Sequence, residues 1–234
     1  DQWLMLEPLL DEYFNINLDV HLSILPTATP YSRNSIFAGA YPDTIHQLYP
    51  ELYEDRESDE SMNRFEVELL QRQMARANIS NAQGFKYQKI IDSRQGDMMA
   101  AHFNDFIGSQ FLTIVVNFVD ILAHRRSDSE ILQEILPNEA SYRNIVRSWF
   151  SHSYLGTIFR KAAEAGYKVV VTSDHGSIKV HRGTQIKADR ETSTSMRYKV
   201  GRNLKVNTKS AYYLKSPADF RLPDIGVFTN YIFA

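Results

Sequence analysis

The segment Val169-Val170-Val171-Thr172-Ser173-Asp174-His175-Gly176 contains the clearest structural signal in the chain. Its β-branched valines predict a buried strand over residues 167–172, and an adjacent Asp and His follow that strand directly. Titratable side chains are costly in a core, so at the carboxyl end of a strand they more often face a ligand site. Adjacent residues of an extended segment point to opposite sides, which suits two neighbouring metal ions. We expect Asp174 and His175 to bind metal, the alternative being a polar loop.

A second predicted strand end carries the same two residue types. The apolar run at residues 112–118 predicts a buried strand, and Asp120 and His124 follow it. A spacing of four residues brings the two side chains together if the chain turns helically there. Carboxylate and imidazole ligands suit Zn²⁺ or Mn²⁺. We therefore predict that this pair also binds metal.

Hydroxyl-bearing residues mark a third junction. Residues 18–25 alternate as in a short strand that ends at Pro26, and a small helix is predicted up to Gly39. Thr29 lies between them, where the positive end of a helix dipole can hold a phosphate. Plain helix capping by the same hydroxyls is the alternative interpretation.

The remaining patterns indicate an α/β fold with a largely parallel central sheet and helices on both faces. The final helix before residue 167 is expected to break near Gly156 and to end at Gly166. The other predicted elements are helices at residues 2–15, 61–77, 129–136 and 139–165 and strands at 86–91 and 227–233.

Composition excludes several classes of protein. The chain has 234 residues, 43% of them hydrophobic, and a net charge of −2, which is enough apolar material for a sizeable core. It has no cysteine, so disulfides and thiolate metal sites are excluded. No apolar run approaches the ~20 residues of a membrane span. We expect a cytoplasmic protein that does not insert into membranes.

Charge is concentrated in two segments. Residues 43–68 carry nine acidic and two basic side chains, and residues 177–209 carry nine basic and two acidic ones, a net +7. Such runs are often solvated surface. Because the basic segment directly follows the Asp174-His175 motif, we expect an irregular loop at 183–196 that attracts an anionic substrate.

Together the three junctions resemble the alkaline phosphatase superfamily. Its nucleotide pyrophosphatase branch has a nucleophilic Thr, an Asp-x-x-x-His element and an Asp-His pair in the order found here. A closer resemblance is to the PglZ domain of PorX-type response regulators. It rests on Asp1-Gln2-Trp3, on Pro26-Thr27-Ala28-Thr29-Pro30-Tyr31-Ser32-Arg33-Asn34 and on the Thr172–Gly176 motif, and the similarity extends over residues 1–234 as one domain.

The resemblance implies a zinc-dependent phosphodiesterase or phosphatase with Thr29 as catalytic nucleophile. Two Zn²⁺ ions are implied, with Mn²⁺ as the alternative metal. Thr29, Asp174 and His175 would bind one ion, and Asp120 and His124 the other. The expected substrates are linear or cyclic oligonucleotides. We expect the substrate to be bound by Arg33, Lys179 and His181.

The superfamily also uses an Asp on its first strand and a His near its C-terminal end, and neither is found here. We expect them before Asp1 and after Ala234, so that the chain is truncated at both ends and its metal site is incomplete.

The response-regulator resemblance also implies partners. It predicts an upstream receiver domain with its sensor kinase, a secretion-system protein or sigma factor linked to type IX secretion, and a homodimer. The rival hypothesis is a non-catalytic module that binds zinc or a nucleotide and docks protein partners. A Ser/His/Asp hydrolase is disfavoured because the chain lacks a Gly-x-Ser-x-Gly elbow.

Overall fold

The computed structural model describes residues 2–53, 63–79, 84–178, 180, 182–189, 192–193, 195–224 and 230–234. The chain divides into two compact units. The first combines Asp1–Val20 with Ala82–Val171, and the second combines His21–Asn81 with Thr172–Ala234.

The described residues form nine α-helices and five β-strands. The helices are α1 (Gln2–Leu10), α2 (Thr29–Ala38), α3 (Pro42–Leu48), α4 (Glu66–Arg76), α5 (Ser93–Ala101), α6 (Phe118–Asp128), α7 (Glu130–Ile135), α8 (Glu139–His152) and α9 (Tyr154–Glu164). The strands are β1 (Phe85–Ile90), β2 (Phe111–Val116), β3 (Tyr198–Gly201), β4 (Tyr212–Leu214) and β5 (Asn230–Phe233). None of these helices is both long and apolar enough to cross a membrane.

The first unit is built on a two-stranded parallel sheet. β1 and β2 pair from Phe85 opposite Phe111 to Ile90 opposite Val116, and α5 lies in the connection between them. Parallel strands need such a crossover because a hairpin cannot join them. α5 packs against α9 over a core formed by Ile90, Met99, Ala100, Phe103, Tyr154, Ile158 and Ala162. A smaller apolar cluster joins α6 to α8 through Leu122, Leu136, Tyr142 and Val146.

The second unit packs α2 on a three-stranded antiparallel sheet. The strand order is β3-β5-β4, so β5 is central and buries Tyr231 and Ile232 completely. Tyr31 of α2 meets Tyr198 edge to face, with 5.4 Å between ring centres. α4 also packs against α2. This core therefore fixes the helix that begins at Thr29.

The predicted α/β class is confirmed, but the predicted largely parallel central sheet is wrong. The described residues contain the two small sheets above instead. Residues 18–25 and 167–172, predicted as strands, are irregular and pair with no strand in the described parts of the chain. Leu22 in the first segment is 95% exposed and Val170 in the second is 88% exposed, so neither segment is a buried strand. A β-branched or alternating pattern forms a strand only where a neighbouring strand completes its backbone hydrogen bonds.

Other predicted elements are confirmed within a few residues at their ends. Strands 86–91 and 112–118 correspond to β1 and β2, and the described part of 227–233 contains β5. Helix α2 ends at Gly39, whose φ of +56° is the left-handed conformation that glycine adopts without strain. The helix predicted over 139–165 breaks as expected, at Ser153, three residues before Gly156, because the Ser153 hydroxyl accepts from the Leu155 amide and caps α9.

We expect Gly96→Ala to destabilise the first unit. A Cβ at Gly96 would lie 2.2 Å from a ring carbon of Tyr154. Overpacking of this kind costs about 1–3 kcal/mol, more than the ~1 kcal/mol that alanine gains in helix propensity. Urea denaturation measures the loss in free energy of unfolding. In a Tyr154→Leu background the same substitution should cost less, and an equal loss in both backgrounds would contradict the steric explanation.

Candidate functional site

Thr29 is the first residue of α2 and is only 9% exposed. Pro30 favours a helix start at this point, because the N–H that proline lacks would have no intrahelical partner in the first turn. The Thr29 hydroxyl therefore lies at the positive end of the α2 dipole, beside the core of the second unit.

The Asp-His motif meets Thr29 in space. Thr29 Oγ1 lies 3.0 Å from His175 Nε2, and the same nitrogen lies 3.8 Å from Asp174 Oδ2. The Asp174 and His175 side chains are 14% and 13% exposed. We call these three residues the Thr29 centre. It joins a hydroxyl, an imidazole and a carboxylate in a largely buried place, although the motif does not follow a strand.

Arg197 connects the two chain segments that flank the Thr29 centre. Its Nη1 donates to the Thr27 carbonyl and its Nη2 donates to the Gly176 carbonyl, each at 2.7 Å. Hydrogen bonds from a charged donor are roughly twice as strong as neutral ones. Because Thr27 precedes α2 and Gly176 follows the Asp-His motif, one guanidinium group ties the two segments together.

His175 has two alternative hydrogen-bond arrangements. Its Nδ1 lies 3.1 Å from the Gly176 carbonyl and 3.2 Å from Arg197 Nη1. With the proton on Nδ1, the ring donates to Gly176 and Nε2 turns a lone pair toward Thr29. With Nδ1 accepting from Arg197, Nε2 carries the proton and donates to Thr29. Only the first tautomer leaves Nε2 able to bind a metal or accept a proton.

Arg33 connects the Thr29 centre to a buried carboxylate on α4. Arg33 Nε donates to Asp174 Oδ2 and Nη1 donates to Glu66 Oε1, both at 3.3 Å. The Glu66 side chain is only 1% exposed, so it needs an opposite charge nearby. One guanidinium group thus serves two carboxylates and holds Asp174 in position. The predicted role of Arg33 in substrate binding stays a prediction.

Asp120 and His124 lie on α6 in the first unit. His124 Nε2 lies 3.5 Å from Asp120 Oδ1, the helical approach that their spacing predicts. The His124 side chain is 78% exposed and the Asp120 side chain is 40% exposed. The structure therefore brings this acid and imidazole together on a solvent-accessible helix face, and their metal-binding role stays a prediction.

Lys179 and His181 lie outside the described residues, as do parts of the predicted loop 183–196. Elsewhere in the basic segment, Lys187 and Lys205 form an isolated antiparallel bridge through both backbone hydrogen bonds. The backbone of this segment is thus anchored at that point.

The donor set of the Thr29 centre fits a divalent cation such as Zn²⁺. The hydroxyl oxygen lies 3.0 Å and the carboxylate oxygen 3.8 Å from the imidazole nitrogen, spacings compatible with ligands that each lie about 2 Å from one ion. The described residues contain no group of three or more His, Asp or Glu side chains arranged to hold a metal. Thr29 would therefore have to complete the set at this position.

Sequence reasoning missed three residues that support the Thr29 centre: Ser23, Glu66 and Arg197. Ser23 Oγ donates to the Asp174 carbonyl at 2.7 Å, a contact with no sequence signal. Glu66 falls on the same helix face as Leu70, four residues later, so its burial could have been inferred from helical spacing. The sequence indicates Arg197 only as one of the nine basic residues of segment 177–209.

Comparison with known proteins gives the family. The sequence profile of the BREX system PglZ alkaline phosphatase-like domain matches residues 1–219. The chain therefore belongs to the PglZ family of alkaline phosphatase-like domains, a class that indicates phosphoester hydrolysis. A search of curated proteins found no match.

We expect Glu66→Gln to destabilise the second unit by about 3 kcal/mol, because removal of one partner leaves a buried charge less compensated. Urea denaturation measures the change. Glu68→Gln is the matched control, since Glu68 is exposed on the same helix and should change stability by less than ~0.5 kcal/mol. Equal effects of the two substitutions would show that the Arg33–Glu66 contact does not stabilise the fold.

Proposed function

We propose that this protein is a metal-dependent phosphodiesterase or phosphatase in which Thr29 is the nucleophile. The observation that carries the proposal is the 3.0 Å contact between Thr29 Oγ1 and His175 Nε2, across 146 positions of sequence. Asp174 is held at the same point by Arg33. Membership of an alkaline phosphatase-like family supports the same class of reaction.

In the proposed reaction the Thr29 oxygen attacks phosphorus. The Thr29 hydroxyl gives its proton to water as its oxygen bonds to phosphorus, the bond from phosphorus to the leaving alcohol breaks, and the departing oxygen takes a proton from water. The product of this step is a covalent phosphothreonine, which with a diester substrate still carries the second ester group. Water then attacks phosphorus and loses a proton, the bond to Thr29 breaks, and the Thr29 oxygen takes up a proton to regenerate the hydroxyl.

Thr29, Asp174 and His175 would hold one divalent metal ion, for which we propose zinc. The chemistry supplied by such an ion is stabilisation of negative charge on the attacking oxygen and on the phosphoryl oxygens. His175 serves this role only with its proton on Nδ1, where the Gly176 carbonyl orients the ring. Arg33 and Arg197 position these ligands. From the family resemblance, we propose that Asp120 and His124 hold a second ion.

We propose linear or cyclic oligonucleotides as substrates. The segment 177–209 has a net charge of +7, and a basic segment attracts polyanions more strongly than small monoesters. The motifs that resemble PglZ domains of PorX-type response regulators support a place downstream of a receiver domain, in the regulation of type IX secretion.

Thr29→Ala should lower the hydrolysis of bis-para-nitrophenyl phosphate on the order of 10³-fold or more, because the nucleophile is removed. Thr29→Ser keeps a hydroxyl and should retain a measurable share of the activity. The exposed Thr208→Ala is the matched control and should behave as wild type. Undiminished hydrolysis by Thr29→Ala would overturn the role of Thr29, and inactivity of the wild type with metal bound would favour the non-catalytic module.

Removal of metal by dialysis against a chelator should abolish hydrolysis, and Zn²⁺ or Mn²⁺ should restore it. Asp174→Asn and His175→Ala should lower the metal content measured by mass spectrometry, because each removes a ligand. His152→Ala, on the exposed end of α8, is the control and should leave the content unchanged. Full activity in protein shown to be metal-free would contradict the proposal.

A further inference from the structure

A pocket of about 350 Å³ opens in the second unit beside the Thr29 centre. Asp174 belongs to both, since it lines the pocket and its carboxylate lies 3.8 Å from His175 Nε2. Ser32, which follows Thr29 by three residues on α2, also lines the pocket. A group that occupies the pocket would therefore lie next to the atom attacked by Thr29.

The lining of the pocket is unsuited to a second phosphate. Among the described residues no lysine or arginine lines it, His21 is its one imidazole, and its one carboxylate, Asp174, is paired with Arg33. Leu22, Ile24 and Ile36 make much of the wall apolar. An anion would lose its hydration here without gaining a permanent opposite charge from the lining, so the pocket favours an uncharged group.

Tyr41 gives the pocket an oriented aromatic ring. The Arg221 guanidinium carbon lies 4.8 Å from the centre of this ring, and Arg221 Nε donates to Asp43 Oδ2 at 2.7 Å. Arg221, which is itself held by Asp43, thus supports the Tyr41 ring. Tyr41 nevertheless remains 48% exposed. A supported ring with free surface is suited to stack on another planar ring.

The hydroxyl groups of the pocket lining offer few polar contacts to a ligand. Ser23 donates to the Asp174 carbonyl and Ser32 donates to the Ala28 carbonyl. The buried hydroxyl of Ser35 has no hydrogen-bond partner in the described structure. Because the Ser35 hydroxyl has almost no accessible surface, the apolar wall and the Tyr41 ring would make most of the contact with a ligand.

We infer that this pocket binds the nucleobase of the phosphodiester substrate, with the base stacked on Tyr41. The inference rests on the proposed function and specifies the substrate class: esters with a nucleoside on the phosphate attacked by Thr29. The size of the pocket, the absence of lysine and arginine from its described lining and an oriented aromatic ring favour a base over a second phosphate or an aliphatic alcohol.

Two esters with the same leaving group test the inference. Thymidine 5′-(para-nitrophenyl phosphate) carries a nucleoside, and methyl para-nitrophenyl phosphate carries a methyl group instead. We expect wild type to prefer the thymidine ester in kcat/KM. Tyr41→Ala removes the stacking ring and should lower this preference about tenfold, the scale of one base–aromatic contact. Ile36→Trp fills the pocket and should lower it similarly.

Matched controls separate the pocket from general effects on the protein. Tyr212→Ala removes an exposed tyrosine of β4, and Ile131→Trp enlarges an exposed isoleucine of α7. Both controls should keep the wild-type preference, and thermal unfolding should show that all four variants are folded. An unchanged preference in both Tyr41→Ala and Ile36→Trp would overturn the inference, as would a wild-type enzyme without preference for the thymidine ester.

A binding measurement makes the inference independent of turnover. Isothermal titration should show that thymidine 5′-monophosphate binds both wild type and Thr29→Ala, and that ribose 5-phosphate binds much more weakly. Tyr41→Ala should lower the affinity for thymidine 5′-monophosphate about tenfold. This result without hydrolysis would support the pocket and overturn the proposed function. Hydrolysis with equal binding of the two ligands would support the proposed function and overturn the pocket.

Discussion

Charge-assisted hydrogen bonds from Arg33 and Arg197 hold together segments of the chain that are far apart in sequence. Arg33 donates to Asp174, 141 positions later, and Arg197 donates to the carbonyl of Thr27, 170 positions earlier. Thr29 and His175, which contact each other, are sequence neighbours of Thr27 and Asp174, the residues that accept these hydrogen bonds. Each arginine also donates to a second acceptor, Arg33 to Glu66 and Arg197 to the Gly176 carbonyl. Two such hydrogen bonds fix the orientation of each guanidinium group.

This arrangement explains how an irregular loop can position reactive groups. The Asp174-His175 motif has no strand to orient it, yet its two side chains are mostly buried and their partners are defined. The α2 helix supplies the fixed reference, because its core residue Tyr31 packs into the antiparallel sheet while Arg33 reaches α4. The stability of the second unit and the geometry of the Thr29 centre thus depend on the same contacts.

Sequence alone predicted the elements whose signal is local. β1 and β2 were found from their apolar runs, and the approach of Asp120 and His124 followed from helical spacing. The strands at residues 18–25 and 167–172 were not correct, because a strand depends on a neighbour that local pattern cannot reveal. The convergence of Thr29 with Asp174 and His175 was expected only through family resemblance. The supporting contacts of Ser23, Glu66 and Arg197 are long-range and leave little trace in sequence.

The central claim is that the Thr29 oxygen becomes covalently bonded to phosphorus during turnover. The most direct measurement is acid quenching of the protein during hydrolysis of bis-para-nitrophenyl phosphate, followed by peptide mass spectrometry. The account predicts a para-nitrophenyl phosphate group on the peptide that contains Thr29, localised to that residue by fragmentation. Steady hydrolysis with the phosphoryl group on another residue, or with no covalent adduct at any quench time, would contradict it.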